Sequence, residues 1–252
     1  MVEGTNLKQA DYLKTGILLP NDQFTPNGGV FCYDRLVKLV LCSEGFFTLN
    51  TVQACVDLCG KHQNEITVAI INEGSAVEEG DKRWVLDNLN DVSKNFPAEL
   101  DIVDLFALSM DQVEARINSK DVIFMIGGNA DFLMHVFTET GFDKLLPKLL
   151  ATKVYVGSSG GSRVIGKKVS SDAFDKIFGN QNQYGVTEYM GLVDFSIIPH
   201  INSHGFPERT PDALQQAAMG TPFTVYGLQD DSAIVIDGSE HSIIGTKPFT
   251  VT

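Results

Sequence analysis

Residues 153–162, Lys-Val-Tyr-Val-Gly-Ser-Ser-Gly-Gly-Ser, constrain the fold of this chain more than any other stretch. The β-branched and aromatic run favours a strand, G-x-S-x-G interrupts it, and the Arg163-Val164-Ile165-Gly166 that follows is compatible with a helix. A strand that passes through a tight turn straight into a helix is the layout of a nucleophile elbow. In such an elbow the central serine is held out of the sheet with its hydroxyl exposed, and the small flanking residues let a substrate carbonyl come close. Ser159 is therefore the candidate nucleophile. A Gly/Ser-rich loop also matches this pattern by accident, so the motif needs partners elsewhere in the chain.

Up to the elbow, short apolar runs alternate with longer amphipathic ones. Residues 36–42, 66–71, 100–105, 122–126 and 154–156 read as strands. The segments 50–62, 81–94, 111–117, 132–150 and 159–168 carry apolar residues at spacings of three and four, as helices do, with Asn50 or Asp111 placed to cap its helix. This βαβ rhythm predicts an α/β fold of three layers, a mostly parallel sheet with helices on both faces. After about residue 195 the runs 195–198, 224–228, 233–236, 241–244 and 249–251 crowd together, and Asp237-Gly238-Ser239-Glu240 is a hairpin signal. They predict antiparallel C-terminal strands that finish the sheet. Residues 1–36 are rich in turn formers and read as an N-terminal extension to a single α/β domain over 37–252.

At 252 residues and 43% hydrophobic content the chain can bury a substantial core. No apolar run approaches the ~20 residues that span a bilayer, and the N-terminus lacks a basic segment followed by an apolar one. No membrane association is expected, and the cytoplasm is the default compartment. The net charge of −13, with no basic stripe to offset it, argues against nucleic acid as a partner. Cys32, Cys42, Cys55 and Cys59 lack C-x-x-C spacing, so no metal is expected. Cys55 and Cys59 fall on one helix face with Val52 and Val56 and read as buried free thiols. No cofactor is implied.

A serine hydroxyl is a weak nucleophile until a positioned base takes its proton. Of the five histidines, His62 lies in a polar segment, His135 on an apolar helix and His241 at the start of a late strand. His200 ends the apolar run Ser196-Ile197-Ile198-Pro199, where α/β sheets collect their functional groups; His204, beside Gly205, competes with it. Oxyanion stabilisation needs free backbone N–H groups, and Ile126-Gly127-Gly128-Asn129 supplies a second glycine turn after a strand. Gly128 and Gly160 are the natural donors. Asn129 is placed to bind substrate from the same loop, or to cap the next helix as Asp131 also could.

In their order, Gly127-Gly128-Asn129, Gly157-Ser158-Ser159-Gly160-Gly161 and Ile198-Pro199-His200 resemble the peptidase E family of serine peptidases, which includes aspartyl dipeptidase and is related to cyanophycinase. Leu228-Gln229-Asp230-Asp231-Ser232-Ala233 is a weaker match to the segment carrying the family's triad acid. The resemblance covers about residues 37–236. It implies a fold like that of the class I glutamine amidotransferases, with serine in place of their cysteine, and a small peptide as substrate. It implies further that Ser159 attacks, His200 serves as base and then acid, Asp230 orients His200, and the N–H groups of Gly128 and Gly160 hold the oxyanion. Arg209 lies where members of the family carry basic residues for substrate carboxylates. A homodimer is compatible with all of this.

The chain departs from the family's pattern at several positions. Ser159-Gly160-Gly161 stands where the family commonly reads Ser-Ala-Gly, an exchange expected to loosen the elbow by about 0.5–1 kcal/mol. Gly127-Gly128-Asn129-Ala130-Asp131 replaces Gly-Gly-Asn-Thr-Phe, so Asp131 brings a carboxylate that would oppose an acidic substrate. Asp230 is one methylene shorter than the glutamate of aspartyl dipeptidase, and Asp231 competes with it for the role. Arg163 and Arg209 read more readily as solvated arginines than as ligands for substrate. Two other functions are open: an α/β-hydrolase esterase, which orders its triad Ser, Asp, His, and a family member that binds a small molecule or partner without turnover.

Overall fold

The structure is a computed structural model that describes residues 37–178 and 184–252. The expected N-terminal extension, 1–36, and with it Cys32, lie outside the described residues. Five strands, β1 (Lys38–Cys42), β2 (Val68–Ile71), β3 (Leu100–Ile102), β4 (Val122–Met125) and β5 (Val154–Ser158), run parallel to one another. Every position of β2, β4 and β5 is buried, because helices cover both faces of the sheet. Side chains alternate between two cores: Leu39, Leu41, Ile123, Met125 and Tyr155 enter one, and Val40, Cys42, Val122, Phe124, Val154 and Val156 the other.

The helices are α1 (Leu49–Cys59), α2 (Arg83–Asn95), α3 (Met110–Asn118), α4 (Ala130–Thr140), α5 (Phe142–Leu149), α6 (Gly160–Arg163), α7 (Asp172–Phe178) and α8 (Pro211–Ala218). Neither expected cap holds. Thr48 caps α1 by accepting from Thr51 N–H, and Ser109 forms a reciprocal capping box with Gln112 at α3, which places Asn50 and Asp111 inside their helices. The single helix expected over 132–150 is two, divided at Gly141, whose φ of 83° ends α4 in the left-handed region. The helix expected over 159–168 is only Gly160–Arg163. It stops because the chain is drawn away at Lys167, whose N–H donates to Phe195 O at 2.8 Å.

The C-terminal strands are β6 (Ser196–Ile198), β7 (Val225–Gly227), β8 (Ala233–Asp237), β9 (Glu240–Ile244) and β10 (Phe249–Val251). They do not all finish the sheet. β8 and β9 extend it antiparallel, giving the seven-stranded order β3-β2-β4-β5-β1-β8-β9, while β6, β7 and β10 form a separate sheet in the order β10-β7-β6. In that smaller sheet β6 and β7 are parallel, because α8 intervenes between them and a crossover returns the chain in the same direction. Leu214, Ala217 and Ala218 of α8 pack there with Ile198, Val225 and Val251. The β8–β9 hairpin closes with Asp237 opposite Glu240, and Gly238 supplies the positive φ of 62° at the turn. The whole is a three-layer, mostly parallel α/β architecture of the class I glutamine amidotransferase type, with antiparallel strands at its C-terminal end.

Candidate active site

The elbow follows β5. Ser159 sits at φ 49°, ψ −110°, a strained backbone for a residue with a side chain, and the surroundings hold it there. Its N–H is shared between Ser43 O at 3.0 Å and Cys42 O at 3.2 Å. Ser162 Oγ lies 2.7 Å from Cys42 O and 2.8 Å from Gly157 O, and Tyr155 OH donates to Gly161 O at 2.7 Å. Gly160 answers a close approach: a Cβ there would stand 2.2 Å from Gly128 O. The extra glycine therefore serves contact with the neighbouring loop, a different role from the loosening expected from the sequence.

Ile198 ends β6 and Gly227 ends β7, and these adjacent parallel strands carry His200 and Asp230 at their carboxyl ends. His200 has a φ of 65°, stabilised locally by Ser43 Oγ, which accepts its backbone N–H at 2.9 Å. Its Nδ1 is 2.8 Å from Asp230 Oδ1 and its Nε2 is 3.0 Å from Ser159 Oγ. The structure thus brings Ser159, His200 and Asp230 together in one hydrogen-bonded chain. Asp231 is turned elsewhere and accepts from both Thr246 N–H at 3.1 Å and Thr246 Oγ1 at 2.8 Å. His62, His204 and His241 are exposed, and His135 packs against Phe132 and Tyr184.

Burial drives the His200 pKa below its ordinary value; the hydrogen bond to Asp230 opposes this and nearby Arg209 adds to it. For Asp230 burial pushes the carboxyl up, but hydrogen bonds from His200 and Ser203 outweigh it and hold the group below the usual carboxylate range. An imidazole that is neutral at rest and hydrogen-bonded to a carboxylate is suited to accept a proton from a serine. Phe206 stacks on His200 at 4.6 Å between ring centroids, and the Arg209 guanidinium lies over the Phe206 ring, 3.9 Å from its centroid. Arg209 is not a solvated arginine: its side chain is 15% exposed and donates to Pro199 O at 3.3 Å. Burial and the repulsion of Arg163 lower it to about 10. Arg163 is likewise half-buried, packed over Phe174 at 5.2 Å and Tyr189 at 5.9 Å.

Gly128, at φ 107°, and Gly160 meet across the ends of β4 and β5. Among the described residues neither amide donates to a backbone carbonyl, and Gly160 N–H begins a helix where no preceding turn can accept it. Asn129 Oδ1 accepts Phe132 N–H at 2.9 Å, so its side-chain oxygen caps α4. Asp131 overturns the expectation of an anion in the pocket. It is fully buried and paired, with Oδ1 2.6 Å from Lys168 Nζ and 2.7 Å from Tyr189 OH. Its charge is compensated within the protein.

The sequence reading missed three residues: Ser43, Glu44 and Phe206. The first two follow β1, the strand beside β5, so a polar Ser43-Glu44-Gly45 after an apolar strand was the available signal. Donor atoms of Glu44, His200 and Asp230 lie within 4.8 Å of one another. His200 Nδ1 already meets Asp230 at hydrogen-bonding distance, so the group reads as a histidine flanked by acids rather than as a ligand set for a metal. Of the cysteines, Cys42 and Cys55 are buried and Cys59 is half-buried, all as free thiols.

The mostly parallel α/β sheet, with Ser159 at a strained strand-to-helix turn after β5, is of the class I glutamine amidotransferase-like type. Residues 43–244 match peptidase family S51, and the chain belongs to that family, the peptidase E family. An uncharacterized peptidase of Listeria monocytogenes is 29% identical over 141 residues, covering 55% of this chain and 67% of the relative. An uncharacterized peptidase of Pasteurella multocida is 23% identical over 191 residues, 75% of this chain and 90% of the relative. Among solved structures, one described as a candidate peptidase E protein from Listeria monocytogenes superposes with a TM-score of 0.68 at 24% identity, over 84% of this chain and all of the other. A peptidase from an acI-B1 actinobacterium gives 0.61 at 15% identity, over 87% and 95%. Both share the fold. Family membership supports a hydrolytic, peptide-directed activity in general terms, and among the described residues no helix is long and apolar enough to cross a membrane.

Proposed function

We propose that the protein is a serine peptidase that cleaves small peptides, dipeptides among them, through an acyl-enzyme on Ser159. The observation that carries the reading is the continuous chain from Ser159 Oγ through the His200 imidazole to Asp230. Ser159 Oγ attacks the carbonyl carbon of the peptide bond while His200 Nε2 takes its proton. The oxygen of the tetrahedral intermediate, now negative, is held by the amides of Gly128 and Gly160. His200 then gives its proton to the departing amine, and the C–N bond breaks to leave an ester on Ser159. Water repeats the sequence: His200 takes its proton, the hydroxide oxygen attacks the ester, and the proton returns to Ser159 as the acid is released. Asp230 holds Nδ1 and stabilises the transient imidazolium. Asn129, next to Gly128, would bind substrate from the same loop, and Arg209 would lend the site a positive field that favours a substrate carboxylate.

The test is labelling with a fluorophosphonate probe, followed by hydrolysis of a dipeptide panel with Asp-, Glu- and Asn-initiated members and simple esters alongside. Labelling abolished by Ser159→Ala, with turnover of peptides, is the expected result. Absence of labelling would favour a binding protein, and turnover confined to esters an esterase.

A further inference from the structure

Glu44 is the charged residue at the site for which the hydrolytic scheme has no use. It follows Ser43 at the carboxyl end of β1, and its Oε1 lies 3.8 Å from His200 Nδ1, the nitrogen that Asp230 Oδ1 meets at 2.8 Å. Two carboxylates therefore flank one edge of the imidazole. The turn bearing Glu44 has little freedom: Gly45 has a φ of 65°, and a Cβ there would stand 2.9 Å from Asn88 Oδ1 and 3.2 Å from Ser158 Cβ. Ser43 fixes the other side through its N–H to Ser232 O at 3.0 Å and its hydroxyl to His200 N–H at 2.9 Å. The backbone that carries Glu44 is thus held against the one that carries His200.

We propose that Glu44 is a positioning residue for His200, a second carboxylate that stabilises the imidazolium present while His200 holds the proton of Ser159. The inference rests on the hydrolytic reading above and specifies the pH range in which that site works best. Three acids surround Glu44: Asp230 from the turn after β7, and Asp87 and Asp91 from α2. Burial first, and then these charges, push its carboxyl up to about 7. His200 in turn faces Asp230, Glu44 and, beyond Phe206, the Arg209 guanidinium. Below neutrality Glu44 carries a proton and offers the imidazolium no charge. Above neutrality it is an anion within reach of Nδ1 and lowers the energy of the charged intermediate, while the resting His200 remains neutral.

Glu44→Gln tests this, because it keeps the shape and removes the charge. At pH 8.5 kcat should fall about tenfold with KM unchanged within about twofold, and at pH 6 the variant should match the parent within about twofold. The NMR resonances of the labelled, neutral His200 imidazole should show an inflection near pH 7 in the parent, where Glu44 ionises, that is absent from Glu44→Gln, and Glu44→Asp should recover part of the loss in kcat. Parallel pH profiles and no such inflection in the parent would overturn the proposal. The inflection reads the coupling of Glu44 to His200 without turnover, so a protein that hydrolyses nothing but shows it would refute the peptidase reading alone.

Discussion

Ser43 accepts the backbone N–H of His200 on its hydroxyl at 2.9 Å and the backbone N–H of Ser159 on its carbonyl at 3.0 Å. One buried residue at the end of β1 thereby sets the separation between the two groups that exchange a proton. Both of these bonds go to backbone N–H groups, so Ser43 acts through the backbone on both.

Ser43→Ala leaves the His200 N–H without its acceptor in a buried setting, which costs about 1–3 kcal/mol. His200, held at a φ of 65°, would relax away from Ser159. We expect kcat to fall by roughly 10–100-fold with little change in KM, since misplacement by about 1 Å has effects of that size. Steady-state kinetics and urea denaturation of the same preparation check both parts.

Asp230 and Asp231 differ in what they touch, and so should their variants. Asp230→Asn removes the charge that supports the imidazolium and should lower kcat by about three to four orders of magnitude. Asp231→Asn loosens the contacts to Thr246 and should leave kcat within about threefold while costing about 1–2 kcal/mol of stability. Equal losses of kcat in the two variants would contradict the geometry.

The base must be unprotonated to act, and burial sets the His200 pKa below its ordinary 6.5. kcat/KM should therefore rise with pH along an acid limb whose midpoint lies below that value, followed by a further rise as Glu44 ionises near 7. Arg209 contributes to the lowering, so Arg209→Met should move the limb to higher pH and raise KM for acidic peptides. A pH series on the two proteins decides this, and a limb that moves the other way would exclude the role given to Arg209.

Gly160→Ala should be damaging. The added Cβ would stand 2.2 Å from Gly128 O, a backbone atom that can yield only by moving the whole loop. That loop carries the amide assigned to the oxyanion. We expect kcat to fall at least about tenfold and stability to drop by about 1–3 kcal/mol, the usual range for overpacking. A variant with full kcat would mean that the Gly128 amide is not needed.

The sheet and its cores were legible because β1, β2, β4 and β5 have continuous apolar runs separated by periodic helical segments. The elbow was legible because its glycines are dictated by short-range backbone geometry. What could not be read was pairing at a distance: β6 and β7 look like continuations of the main sheet in sequence, and only α8, packing its small apolar face on them, turns them into a second sheet. The same holds at the site. Asp131 looked like an anion beside the substrate because Lys168 and Tyr189, its partners, are remote in sequence. Glu44 and Ser43 carried no motif, since their roles arise from the adjacency of β1 and β5 rather than from spacing along the chain.

The division of the C-terminal strands between two sheets has a thermal consequence. Ser159 follows a strand of the seven-stranded sheet, whereas His200 follows a strand of the three-stranded one, whose members have three residues each and share a small core. Units with few buried contacts open at lower free energy than the body to which they are attached. Heating should therefore silence the enzyme by parting base from nucleophile while most of the helical signal is still intact, and cooling before the large sheet melts should restore it.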